Sequence, residues 1–219
     1  MNVTAIDPGV AGAGNACAAS EDKRIVCVWF ARVPRFERGA LLGELEGPCA
    51  DIVIVERPVL QGDRTRAARP QDLMSLAWEG ALLAGAYAGR DGATLIELPA
   101  NDTRDARGWK GSEPKPVQHA RLWAILDAGE RALLGGLVTE RVIYAAREKG
   151  ALNRWGRPGA SYYPRAFTTH NLLDACALNA TYTGRLRRSG KLPINAASFE
   201  LTSVASGWIN GVSTIPYTP

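Results

Sequence analysis

At 219 residues, with 46% hydrophobic and 22% charged residues, the chain has enough apolar material for one well-buried core, which excludes a disordered or low-complexity protein. Four cysteines without paired spacing exclude a zinc ribbon and a disulfide scaffold and suit a reducing compartment. The net charge of +4 and pI near 9.0 are mild on average, but the basic residues cluster in loops, which points to a polyanionic partner.

Residues 2–14, NVTAIDPGVAGAG, open with a buried strand pattern at Val3, Ala5 and Ile6 and run into a glycine-rich turn. Pro8 cannot extend a central ladder, and Gly9, Gly12 and Gly14 allow a tight return, so Asp7 is expected at a strand end. No signal peptide is expected ahead of that strand. Further strands are predicted over 12–20 and 24–30, divided by the polar turn Glu21-Asp22-Lys23, to give an antiparallel meander. Residues 34–48 read as a mixed segment, weakly helical from 38 to 46. The β-branched run over 51–56 is a fully buried strand ending in a second carboxylate, Glu56.

An arginine-rich loop, 57–70, carries Arg57, Arg64, Arg66 and Arg69. The strongest helix is predicted over 71–89, with Leu73, Leu76, Ala77, Gly80, Leu83, Ala84 and Tyr87 on one stripe and small residues that permit close approach of another element. Glu79 interrupts its apolar run, so no membrane span is expected and the protein is read as soluble and cytoplasmic. A strand at 93–98 completes a βαβ unit, hence an α/β fold with a mixed sheet and helices against it. The polar loop 99–116, with Lys110 and Lys115, is long enough to be read as functional. Helices follow over 117–127 and 168–185, with a further helical stretch at 139–149. Residues 189–219 are expected to be a C-terminal extension with a short strand at 198–204.

Three acids stand out by position: Asp7 and Glu56 at strand ends, and Asp174 in the otherwise apolar helical run HNLLDACAL. Burying Asp174 as a charge is costly unless a metal or partner compensates it. His170 lies one helical turn earlier, on the same face. Taken singly, each acid is equally a capped turn, a salt-bridged strand end or a helix-to-loop hydrogen bond. Taken together, they are what a pair of divalent ions about 3.5 to 4 Å apart needs to hydrolyse a phosphodiester. Lys110 or Lys115 either adds positive charge to the transition state or is a solvated loop lysine.

AIDPG, IVIVERP, MSLAWEGALLAGAY, RGWKGSEPKPVQHARL and HNLLDACALNA, in that order, resemble the RuvC-type Holliday-junction resolvases of the ribonuclease H-like superfamily. The likeness covers residues 1–126 and 168–185. It implies a ribonuclease H-like mixed five-stranded sheet flanked by helices in a nuclease domain over 1–188. It also implies metal ligands at Asp7, Glu56 and Asp174, two Mg²⁺ ions per site with Mn²⁺ as substitute, and a catalytic lysine at Lys115. A homodimer that cuts two strands of a four-way DNA junction, with the 71–89 helix near its axis, is implied as well. The family carries an acid or histidine three residues before the last Asp. Here that residue is Asn171, and His170, one step earlier, is expected to serve.

A second departure is an insertion over 129–167, which suggests a phage or mobile-element relative. Its Arg154, Trp155, Arg157, Tyr162 and Arg165 either interleave charge for phosphates with rings for unpaired bases or form a solvated loop with structural aromatics. Other readings remain: a ribonuclease H-like nuclease acting on other branched DNA or RNA:DNA hybrids, a junction-binding protein impaired in catalysis, and an actin-like nucleotide-binding domain. The last needs a second phosphate loop, which the sequence lacks.

Overall fold

The computed structural model describes residues 1–9, 14–32, 35–37, 40–42, 45–57, 70–100, 115–134, 170–186 and 197–199. The opening meander forms as expected: β1 (Asn2–Asp7) pairs antiparallel with β2 (Asn15–Glu21), and β2 with β3 (Arg24–Ala31). Asp22 and Lys23 join β2 to β3 with φ of 45° and 73°. Consecutive left-handed residues give a turn whose twist matches the strands it links.

β4 (Arg35–Glu37) and β5 (Ala40–Leu42) form a separate antiparallel ribbon, which corrects the weak helix expected over 38–46. Gly39 and Gly43 would each cost a helix interior about 1 kcal/mol relative to Ala, and so short a stretch cannot repay helix nucleation. β6 (Ile52–Arg57) lies parallel to β1. α1 (Pro70–Asp91) then leads to β7 (Thr94–Pro99), parallel to β6. Pro70 takes the first helical position, where a missing N–H is tolerated. The helix runs past the expected end at Gly89 because Gly92, with φ of 62°, is its left-handed cap, and Ala93 N–H donates back to Ala88 O at 3.0 Å.

α2 (Lys115–Ile125), α3 (Ala128–Leu134) and α4 (His170–Tyr182) follow, and β8 (Ala197–Phe199) pairs antiparallel with β7. The sheet order is β3-β2-β1-β6-β7-β8. The expected mixed five-stranded sheet is therefore present as β3-β2-β1-β6-β7. β8, from the stretch read as an extension, adds an edge strand. The helical stretch at 139–149 and the basic and aromatic segment 150–165 lie outside the described residues.

Strand alternation sorts the core into two layers. Ile6, Cys17, Val53 and Val55 face α1, where Leu83, Ala84 and Tyr87 are buried against them. Val3, Ala5 and Ile54 face the other way, against Leu178 of α4. Ala16 and Ala18 share that second face and pack with Leu173, Cys176 and Ala177 of α4 and Leu122 and Trp123 of α2. Buried Asn179 clamps α4 to the sheet, its Nδ2 donating to Val3 O at 3.0 Å and Ala18 O at 3.1 Å. At the C-terminal end of α4, Arg185 donates to Lys23 O in the β2–β3 turn at 3.1 Å. These anchors set the direction of α4: it runs antiparallel to β1, with its N-terminus toward the carboxyl ends of β1 and β6. Among the described residues no helix is long and apolar enough to cross a membrane.

Candidate active site

Asp7 ends β1 and Glu56 is the penultimate residue of β6, as the strand-end reading expects. The parallel register pairs Val3 with Ile52, Ala5 with Ile54 and Ile6 with Val55, so its next step sets Asp7 beside Glu56. Alternation puts both on the face that α4 covers. The turn behind Asp7 is tightly held. Gly9 N–H donates to the buried Asn15 Oδ1 at 3.3 Å, while Asn15 Nδ2 donates to Ala31 O at 3.4 Å. A Cβ on Gly9 would meet Gly14 O at 2.2 Å, so only glycine is tolerated there.

The close approach expected of the small residues in α1 is made by Gly80, onto the Asp7 turn itself. A Cβ on Gly80 would lie 2.6 Å from Pro8 Cγ and 3.2 Å from Val55 Cγ2. Gly80→Ala, although it raises helix propensity, should therefore destabilise the protein by about 1–3 kcal/mol through overpacking. Thermal melting checks this, and a stabilised variant would show that the turn yields to α1.

Asp174 lies one turn before Leu178 on α4 and so projects over the same face, toward the strand ends; its side chain is 16% exposed. Its Oδ1 lies 3.1 Å from Nε2 of His119 on α2, a residue 1% exposed. The sequence reading missed His119. The available signal was its helical spacing with Leu122, Trp123 and Leu126, which puts a polar ring on the buried face and so calls for a polar partner. Asn15 was missed as well, and nothing local marks it. His170 is the first residue of α4 and Asn171, half-buried, the second. Lys115 begins α2, so it belongs to the helix and not to the loop preceding it.

Of the expected nucleic-acid contacts, Arg57 is exposed at the end of β6, with Nη1 3.9 Å from Glu97 Oε2. Arg64, Arg66, Arg69, Lys110, Arg154, Trp155, Arg157, Tyr162 and Arg165 lie outside the described residues. Beside Glu56 and Arg57, on the α1 side, a cavity of about 330 Å³ is bordered by Met74, Trp78 and Glu97.

Asp7 and Glu56 thus lie at the ends of adjacent parallel strands, and Asp174 lies in the N-terminal half of α4, which runs antiparallel to β1 over the same face. Among the described residues no three His, Cys, Asp or Glu side chains are gathered closely enough to hold an ion. The donor chemistry nevertheless fits Mg²⁺, a hard cation that commonly takes one or two carboxylates and keeps several waters in place of a closed protein cage. Thiolate chemistry does not fit. Burial, and then the Asp7 carboxylate, push the Cys17 thiol far above its ordinary value. Burial, then Glu130 and Asp174, do the same for Cys176.

Fold and strand order together define an α/β domain built on a mixed sheet with helices packed on both faces. No protein-family model and no curated protein matches the chain. Among solved structures, T. thermophilus RuvC in complex with a Holliday junction substrate is similar over 91% of this chain and 99% of that one. Identity is 12% and the TM-score 0.41, and at that distance nothing about the site is carried across.

Proposed function

We propose that the protein is a metal-dependent endonuclease that hydrolyses phosphodiesters in branched DNA, with the four-way junction as its substrate. The observation that carries this reading is the placement of Asp7 and Glu56 at the carboxyl ends of the adjacent parallel strands β1 and β6, on the face packed by the helix that bears Asp174. Mg²⁺, or Mn²⁺ in its stead, would be held by Asp7, Glu56 and Asp174, with His170 as a further ligand, and would supply an activated water and charge stabilisation at the leaving oxygen. The chain's own part is to hold these carboxylates at the carboxyl end of the sheet. Glycines in the Asp7 turn keep side chains away from an approaching backbone phosphate. The arginine-rich stretch 57–70 leaves β6 directly after Glu56, which suits a phosphate-tracking role for Arg57, Arg64, Arg66 and Arg69.

Incubating the full chain with a synthetic four-way junction in Mg²⁺ or Mn²⁺ should yield paired nicks near the branch point, and EDTA should abolish them. Cleavage of other branched DNA or RNA:DNA hybrids in preference to the junction would retain the chemistry and change the substrate. A second reading, junction binding without cleavage, follows from Asn171, which stands where the resembled family carries an acid or histidine. Tight binding with no cut in either metal would select it.

Paired cutting requires two sites, and α1 offers a surface for a second copy. Met74 and Trp78, one turn apart, are 69% and 68% exposed, an unusual outlay of large apolar side chains on a solvent face. Light scattering should report a dimer without DNA, and Trp78→Glu should shift it to monomer. A wild-type monomer at all concentrations would remove symmetric cutting.

A further inference from the structure

His119 sits on the buried face of α2, between Ala120, Leu122 and Trp123 on its own helix and the apolar side of α4. At 1% exposure its ring reaches neither solvent nor nucleic acid, yet its Nε2 is 3.1 Å from Asp174 Oδ1. A carboxylate oxygen accepts, so Nε2 donates the proton of this hydrogen bond. The bond spans two helices that share an apolar core cluster, and it ends on the one acid of α4. An aspartate side chain on a helix has rotational freedom that a bond from a packed, immobile ring removes. A carboxylate offers about four lone-pair sites, so a hydrogen bond from His119 and coordination of an ion are chemically compatible on one side chain.

We infer that His119 is a positioning residue: its Nε2–H orients the Asp174 carboxylate for metal binding without itself touching the ion. This rests on the metal-site reading above. Partners of this kind govern ligand geometry, and their loss commonly weakens metal affinity by about 10–100-fold.

Mn²⁺ titration of the full-length protein by calorimetry, with melting curves on the same samples, tests the inference. His119→Leu should weaken Mn²⁺ binding by about 10–100-fold, whereas His119→Gln, whose amide reaches the position of Nε2, should stay within roughly threefold of wild type. His119→Asn, one methylene too short, should behave like His119→Leu and supplies the comparison if the leucine variant does not fold. If Asp174→Asn abolishes binding while His119→Leu and His119→Asn bind Mn²⁺ as wild type does, the positioning role is overturned and the metal site stands. Equal weakening in the Gln and Asn variants, in step with equal losses of melting temperature, also overturns it, because the ring is then only packing. A wild-type protein that binds no Mn²⁺ overturns the metal-site reading and this inference with it.

Discussion

Asp7→Asn, Glu56→Gln and Asp174→Asn are each expected to slow junction cleavage by about a thousandfold or more, which at 1.36 kcal/mol per tenfold is ~4 kcal/mol of transition-state stabilisation. Each exchange keeps the side chain's volume and removes a ligand charge. Asp7 and Glu56 lie at strand ends and Asp174 on α4, and none of the three is fully buried. Melting temperature should therefore stay within about 4 °C of wild type, the shift that ~1 kcal/mol makes in a domain of this size. Single-turnover cleavage and melting curves on the same preparations separate the outcomes. A variant that cuts at the wild-type rate takes its residue out of the site, and one that melts far lower marks a structural acid. His170→Ala should slow cleavage more than Asn171→Ala; the opposite order would move the further ligand to Asn171.

The largest effect on stability is expected at Glu130. Asp127 and Glu130 cap α3 reciprocally: Asp127 Oδ1 accepts from Glu130 N–H at 2.9 Å, and Glu130 Oε2 accepts from Asp127 N–H at 2.8 Å. Glu130 is fully buried and also accepts from Ile25 N–H on β3 at 2.8 Å and from both terminal nitrogens of Arg185. One carboxylate thereby ties α3, the sheet and the end of α4 together. Glu130→Ala leaves Arg185 and the Ile25 amide without that acceptor, and should cost about 3–5 kcal/mol, as breaking a buried ion pair generally does. Denaturant unfolding measures it.

The same carboxylate carries a pH signature. Burial alone would raise its pKa, but the hydrogen bonds from Arg185, Asp127 and Ile25 outweigh burial and hold it below the ordinary 4.5. A depressed folded-state value means that the stabilisation is fully present above about pH 4.5 and is lost as pH falls through the lower folded value. Glu130→Gln should flatten the acid limb of the stability curve. An unchanged acid limb would assign acid sensitivity to other carboxylates.

Much of this site was legible locally. Strand ends carry Asp7 and Glu56 because Pro8 and the glycines stop one strand and the β-branched run 52–55 defines the other. Asp174 stood out because a charge interrupts an apolar helix face. The capping box Asp127-Ala-Gly-Glu130 is equally readable in the sequence, and it opens the helix over 128–134, whose Leu134 is packed in the core. The ribbon at 35–42 went unseen because its strands are three residues each, too short for alternation to show.

The sequence by itself determined the mixed sheet, the crossover helix with its apolar stripe, and the strand-end or helical position of each acid. Those follow from spacings of two to four residues, which a local pattern records. Only the tertiary structure decided that Asp7 and Glu56 share a face, that Gly80 is the contact to Pro8, and that His119 meets Asp174 across 55 residues of chain and Glu130 meets Ile25 across 105. Such pairings depend on parallel register and on the direction in which α4 lies across the strands. Register and helix direction are settled by burying every apolar face at once, and no single segment carries that information.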